Sequence, residues 1–158
     1  YYRFFYVVVA SLTTLAYASL VVIFPDKLIY KIPFPYVILT SLLEIGAIVG
    51  ASRCVLDSRP MSFTGVDVLL NPKLSAPDEK LVTSGFYRLM RHPIYTFSLV
   101  TLWLSPIMTW NLLALFLGIT AYMLIGSWFE EQKLLRQFGE AYAEYQKKTP
   151  AFIPRLKR

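Results

Sequence analysis

Long apolar runs separated by short polar punctuation set the pattern of this chain. Residues 4–24 contain no charged side chain and, at about 1.5 Å per residue, predict a helix of about 30 Å, one hydrocarbon thickness. The run is too long for a signal-peptide core and lacks a small-residue cleavage site before Pro25, so it reads as an uncleaved span. The chain opens on Tyr1 rather than Met, which leaves room for a preceding segment. Pro25-Asp26-Lys27 and Lys31-Ile32-Pro33-Phe34-Pro35 stop one helix and start the next, because proline fits a first turn but not a helix interior. Residues 36–52 then predict a second span, antiparallel to the first. Its small residues Gly46, Ala47, Gly50 and Ala51 suit close helix packing in lipid.

Residues 53–92 are polar, with turn signals at Arg59-Pro60, Asn71-Pro72 and Ala76-Pro77-Asp78, and predict a long loop. His92-Pro93 opens a third apolar run over residues 93–108, and residues 111–129 form a fourth. Trp110 and Trp128 stand about 27 Å apart on a helix, the spacing of an aromatic belt at each membrane face. Residues 130–146 repeat Leu134, Phe138, Tyr142 and Tyr145 at helical spacing, which predicts an amphipathic helix on the membrane surface with that stripe packed inward. The expected fold is all-α: one polytopic membrane domain with about four transmembrane helices and an amphipathic C-terminal interfacial helix.

Composition strengthens this picture. Hydrophobic residues make up 56% of the chain and charged residues only 16%, outside the usual soluble range. Of the 16 Lys and Arg residues, all but Lys27 and Lys31 fall in the N-terminal stub, the 53–92 loop or the C-terminal tail. The positive-inside bias then predicts a multi-pass protein with both termini, the long loop and the polar site in the cytoplasm. Orientation and anionic lipid account for the net charge of +6, so no nucleic-acid partner is expected. A lone Cys54 beside a lone His92 excludes an internal disulfide and cannot furnish a zinc site, so no metal is expected.

Charged groups at the mouth of an apolar run are costly unless something polar is bound there. Arg88, Arg91 and His92 lie at the entrance to the third run, and Glu130 and Glu131 at the exit of the fourth. A helical hairpin delivers both sets to one face, where they either pair with each other or bind a zwitterion. Glu44 is the sole charge inside the second span. An ionised carboxylate there is expensive, so Glu44 is expected to be neutral, paired with a cation such as Arg53, or close to an acceptor pocket.

The pattern Gly85-x-Tyr87-x-x-x-Arg91-His92-Pro93-x-Tyr95, followed by Glu130-Glu131-x-x-Leu134, Phe138-Gly139-x-x-Tyr142-x-x-Tyr145, Pro150 and Pro154, resembles the isoprenylcysteine carboxyl methyltransferase and phospholipid methyltransferase superfamily of integral-membrane enzymes. Trp103, Met108-Thr109 and Ala121-Tyr122 further resemble the branch that holds methanethiol S-methyltransferases and NnrU-like proteins. The resemblance implies S-adenosylmethionine as methyl donor, leaving S-adenosylhomocysteine, held by Tyr87, Arg91, His92, Pro93, Tyr95, Glu130 and Glu131. It also implies a small thiol or another membrane-partitioned acceptor, with His92 and Arg91 as catalytic candidates; Glu44 joins them through its costly place inside the second span. A prenylcysteine carboxylate or a phospholipid amine is the alternative acceptor, and a non-catalytic NnrU-like binding or assembly role the alternative from another class. One departure stands out: Phe97 occupies a position where the family often has Gly or Ser.

Overall fold

A computed structural model describes residues 2–57 and 81–154. Most of the long polar loop predicted from the sequence, residues 58–80, lies outside the described residues, as do the tail cations Arg155, Lys157 and Arg158.

The described chain runs α1 (Tyr2–Ile23), β1 (Leu28–Lys31), α2 (Tyr36–Asp57), a 3-10 turn (Gly85–Arg88), α3 (Pro93–Trp103), β2 (Ile107–Thr109), α4 (Trp110–Phe138) and α5 (Glu140–Lys148). Helices dominate, as the apolar runs predict. α2 and α4 are each long and apolar enough to cross a membrane. Their large apolar residues, among them Leu39, Leu42, Val49, Leu117 and Ile125, face outward rather than into a core. Such a surface is stable in lipid and a liability in water.

Four boundaries differ from the sequence expectation. The third apolar run, residues 93–108, is not one helix: α3 has 11 residues, about 16 Å, roughly half of a hydrocarbon core. Pro106 is the cause, because the residue before a proline is sterically pushed out of helical geometry. Beyond it Ile107–Thr109 pairs antiparallel with Leu28–Lys31, with Leu28 opposite Thr109 and Lys31 opposite Ile107. A small sheet therefore joins the two turns at this end, and the fold is mostly rather than wholly helical. The second helix runs on past Ser52 to Asp57. The fourth span does not stop at Phe129 either; α4 continues to Phe138, since Glu130 to Gln137 are all good helix formers. The predicted single surface helix over residues 130–146 is thus split, with Leu134 and Phe138 on α4 and Tyr142 and Tyr145 on α5. Gly139 makes the break at φ 54°, ψ −127°, a backbone conformation open essentially to glycine alone.

At the sheet end, Asp26 Oδ1 accepts from the N–H groups of Lys27 at 2.8 Å and Asn111 at 3.1 Å. Thr109 caps α4 by accepting from Leu112 N–H. Two seams of the bundle are α1 on α4 and α2 on α3, and α3 also touches α4 through Trp103 on Phe116. In the first, the Tyr17 hydroxyl donates to the Ala114 carbonyl at 2.9 Å across Gly118. In the second, Ala47 and Gly50 are buried, two of the four small residues the sequence marked for packing.

The Phe97 ring lodges against Gly50 and meets Phe86 edge-on at 5.0 Å. Its bulk is therefore taken up by the α2–α3 seam. A Cβ at position 50 would stand 2.9 Å from that ring, so Gly50→Ala is expected to destabilise the protein by about 1–3 kcal/mol through overpacking. Adding Phe97→Leu should recover most of that loss, as read from thermal unfolding of the single and double variants in detergent. A loss unchanged by the second substitution would place the strain elsewhere.

Candidate active site

The far end of the bundle from the sheet is built on the turn that enters α3. Gly85 opens the 3-10 turn at φ 60°, buried Met90 anchors it, and His92 caps α3 ahead of Pro93, which is fully buried at the first helical position. The C-terminal segment is stitched to this turn through four successive carbonyls. Thr149 accepts from Arg91 Nη1 at 2.6 Å, Pro150 from Arg91 N–H at 2.8 Å, Ala151 from His92 N–H at 2.9 Å, and Phe152 from the Thr96 hydroxyl at 3.1 Å. Arg91 Nη1 also donates to the Gln146 carbonyl at 3.2 Å.

Glu131 closes the ring from α4. Arg91 Nε and Nη2 converge on its Oε1, each at 2.7 Å, and His92 Nε2 lies 3.0 Å from the same oxygen. Its Oε2 accepts from Gln146 Nε2 at 3.0 Å. Both oxygens are engaged within the protein, so Glu131 ties α3, α4 and α5 together. Because an ionised carboxylate can only accept, His92 donates through Nε2, and in the neutral ring Nδ1 keeps its lone pair. Nδ1 faces Glu130 Oε2 at 3.8 Å. The His92 ring, 6% exposed, stacks on Tyr95 at 5.5 Å and on Phe152 at 5.4 Å.

Glu130 is placed differently. Its side chain is 42% exposed, and its Oε2 accepts from the Tyr95 hydroxyl at 3.0 Å. Of the two carboxylates it is the more exposed.

Two α5 tyrosines complete the walls. The Tyr145 hydroxyl donates to the Tyr87 carbonyl, which puts Tyr87 at the rim of the cluster through its backbone. Burial pushes the Tyr145 phenol from its ordinary 10.0 up to about 12, with Arg91 opposing and Tyr87 and Glu131 adding to the rise. A raised value means the unfolded chain ionises first as pH climbs. The stabilisation is therefore complete below pH 10 and is lost as pH rises through 12. Thermal midpoints are expected to fall across that window, and Tyr145→Phe should flatten the decline; an identical decline in both proteins would assign it to other groups. Tyr142 is 1% exposed, and its hydroxyl has no hydrogen-bond partner among the described residues.

Arg91, His92, Pro93, Tyr95, Glu130 and Glu131 are thus brought together, with Tyr87 alongside. Glu44 is not. Gly50 sits level with Phe97, which leaves Glu44 about 16 Å from His92 along the helix axes, and Arg53 pairs with Asp57 at 3.5 Å instead. Gln146, Thr96, Phe152 and the 149–152 carbonyls were invisible to sequence reasoning, since backbone acceptors carry no residue signature. Tyr142 and Tyr145 stand out in the sequence as part of an apolar stripe and of the motif that carries the resemblance, neither of which gives their hydroxyls a role.

An apolar groove of about 740 Å³ runs between α2, α3 and α4, lined by Ile48, Ala51, Val55, Ile94, Leu102 and Ile119 among others. Ile94 and Ser98 bring one end of it within a helical turn of Tyr95.

These features define a helical protein with apolar helices of membrane length and a polar cluster at one end, beside an apolar groove. The chain belongs to the phospholipid methyltransferase family, whose sequence pattern matches residues 45–141. It is 39% identical to Methanethiol S-methyltransferase 2 of Bradyrhizobium diazoefficiens over 47% of this chain and 29% of that protein. It is 40% identical to Methanethiol S-methyltransferase of Pseudomonas deceptionensis over 51% of this chain and 31% of that one. These matches cover less than a third of either relative. Protein-S-isoprenylcysteine O-methyltransferase B of Arabidopsis thaliana is 27% identical over 94% of this chain and 73% of that protein. No solved structure matches the chain at a significant level.

Proposed function

We propose that this chain is a multi-pass membrane methyltransferase that takes a methyl group from S-adenosylmethionine, releases S-adenosylhomocysteine, and methylates a small thiol or another membrane-partitioned acceptor. The observation that carries this reading is the half-exposed Glu130 held by Tyr95 beside the buried His92, at the end of the apolar groove. Its partners fit the donor: a carboxylate with accepting capacity left suits an ammonium or ribose hydroxyls, and the Tyr95 and Phe152 rings offer apolar faces. S-adenosylmethionine supplies a methyl group on an electrophilic sulfonium when bound.

The remaining work falls to positioning and exclusion of water. Glu130 and Tyr95 orient the ligand, while Arg91 and Glu131 hold the C-terminal segment over the site. His92 Nδ1 takes the proton that a thiol must lose; a carboxylate acceptor needs no such base. Glu44, one helical turn before the groove residue Ile48 on α2, acts on the acceptor rather than on the donor. The bias of Lys and Arg supports a cytoplasmic position for the cluster and both termini.

The groove favours a second acceptor class, a prenylcysteine or a phospholipid amine, because it is apolar and of ligand-pocket size. Methyl transfer from labelled donor to methanethiol, a prenylcysteine and phosphatidylethanolamine separates the classes. Binding of S-adenosylhomocysteine with no transfer to any acceptor would support the non-catalytic NnrU-like role. Neither transfer nor binding would overturn the whole reading.

A further inference from the structure

Of the Tyr95, Tyr142 and Tyr145 hydroxyls around the charged cluster, two are committed to the protein. Tyr95 donates to Glu130 and Tyr145 to the Tyr87 carbonyl. The third, Tyr142, lies beside Glu131, Arg91 and Glu130 closely enough to feel their charges. It is 1% exposed, yet its hydroxyl finds no partner among the described residues. Buried polar groups are nearly always paired, and one that is not calls for an explanation.

The charged donors at the centre of the cluster are already engaged. Arg91 is spent on Glu131 and on the Gln146 and Thr149 carbonyls, and His92 Nε2 on Glu131. Glu130 supplies an acceptor, but the strong cationic donor of the site already faces protein oxygens. A buried neutral hydroxyl that stays protonated is a donor still to be used. Burial holds the Tyr142 phenol far above its ordinary value, with Glu131 adding to the rise, so the proton is present at any physiological pH.

We infer that the Tyr142 hydroxyl is a ligand-binding group that donates a hydrogen bond to an oxygen of the bound methyl donor, completing the site from α5. This deepens the reading of the cluster as a donor site and rests on it. A position in the apolar stripe thereby acquires a polar role, in which the ring packs while the hydroxyl waits for the ligand.

Tyr142→Phe keeps the ring and removes only the oxygen. Without ligand, the variant is expected to unfold at the same temperature as the wild type or higher, since an unpaired buried hydroxyl has been removed. Its affinity for S-adenosylhomocysteine, measured by calorimetry on the full chain in detergent, is expected to fall about tenfold, the loss of one net hydrogen bond. The thermal shift produced by that ligand should shrink in parallel. Tyr145→Phe is the control: it lowers the ligand-free midpoint, because its hydroxyl has a protein partner. Repeating the calorimetry with methylthioadenosine, which lacks the amino-acid end, locates the contact. Weakened binding of both probes assigns it to a ribose oxygen, and weakened binding of S-adenosylhomocysteine alone to the carboxylate. Unchanged affinity of Tyr142→Phe for S-adenosylhomocysteine, or a lowered ligand-free midpoint, overturns the inference. Failure of the wild type to bind S-adenosylhomocysteine would instead overturn the proposed function.

Discussion

In the Glu131→Ala protein, unfolding stability is expected to drop by about 3–5 kcal/mol, and binding of S-adenosylhomocysteine to disappear. The side chains of Arg91 and Glu131 are only 13% and 16% exposed, and removing one partner of a buried ion pair leaves the other uncompensated. The loss extends beyond the pair, because His92 Nε2 and Gln146 Nε2 lose their acceptor as well. Two companions sharpen the result. Glu131→Gln retains the shape and one accepting oxygen, and should fall between wild type and alanine. An Arg91→Met, Glu131→Leu double variant removes both charges and should recover much of the stability, as apolar replacements of buried pairs often do. It should not recover ligand binding. Chemical denaturation in detergent alongside calorimetry reads both quantities, and a wild-type midpoint for Glu131→Ala would show that Glu131 does not bind the three helices together.

Cutting the chain after Lys148 is expected to be nearly as damaging to the site while sparing the bundle. The cut removes the carbonyls of Thr149 to Phe152, and with them the partners of Arg91 Nη1, the Arg91 and His92 N–H groups and the Thr96 hydroxyl. At about 1 kcal/mol for each net bond, and because contacts this close do not add simply, the loss is on the order of 3–4 kcal/mol. Helix content by circular dichroism should stay close to that expected for α1 to α4, while α5 becomes the first site of proteolysis and ligand affinity falls more than tenfold. Retained affinity in the truncated protein would mean that the ladder of carbonyls merely decorates the turn. No side-chain substitution can make this test, because the acceptors are backbone atoms.

Arg91-His92-Pro93 and Glu130-Glu131 were legible in the sequence as one site because charge beside apolar runs is costly and a hairpin brings the two ends together. α1, α2 and the body of α4 were legible from uninterrupted hydropathy. The short α3 was not, because Leu104 to Met108 is as apolar as a helix interior and only the steric reach of Pro106 ends the helix. The β1–β2 pairing was hidden because each strand is a few residues long and its partner lies in a distant turn. The run from Glu130 to Gln137 looked like a new surface helix because polarity changes there, whereas backbone direction changes only at Gly139. Glu44 stands out in the sequence through its cost in lipid, a signal that carries no distance, so its separation from His92 along the helix axes was not legible.

The two seams carry a consequence for how the chain is made. α1 packs on α4 and α2 on α3, while β1 finds its strand in β2, so the first half of the protein is nested around the second. Tyr17 has no Gly118 to close upon, and Gly50 no Phe97 to receive, until the ribosome has passed those positions. The early helices must therefore wait for the later ones, and pairing between parts so distant in sequence is slow. Synthesis that stalls before α3 leaves α1 without α4 and α2 without α3, with their packing faces open to membrane quality control.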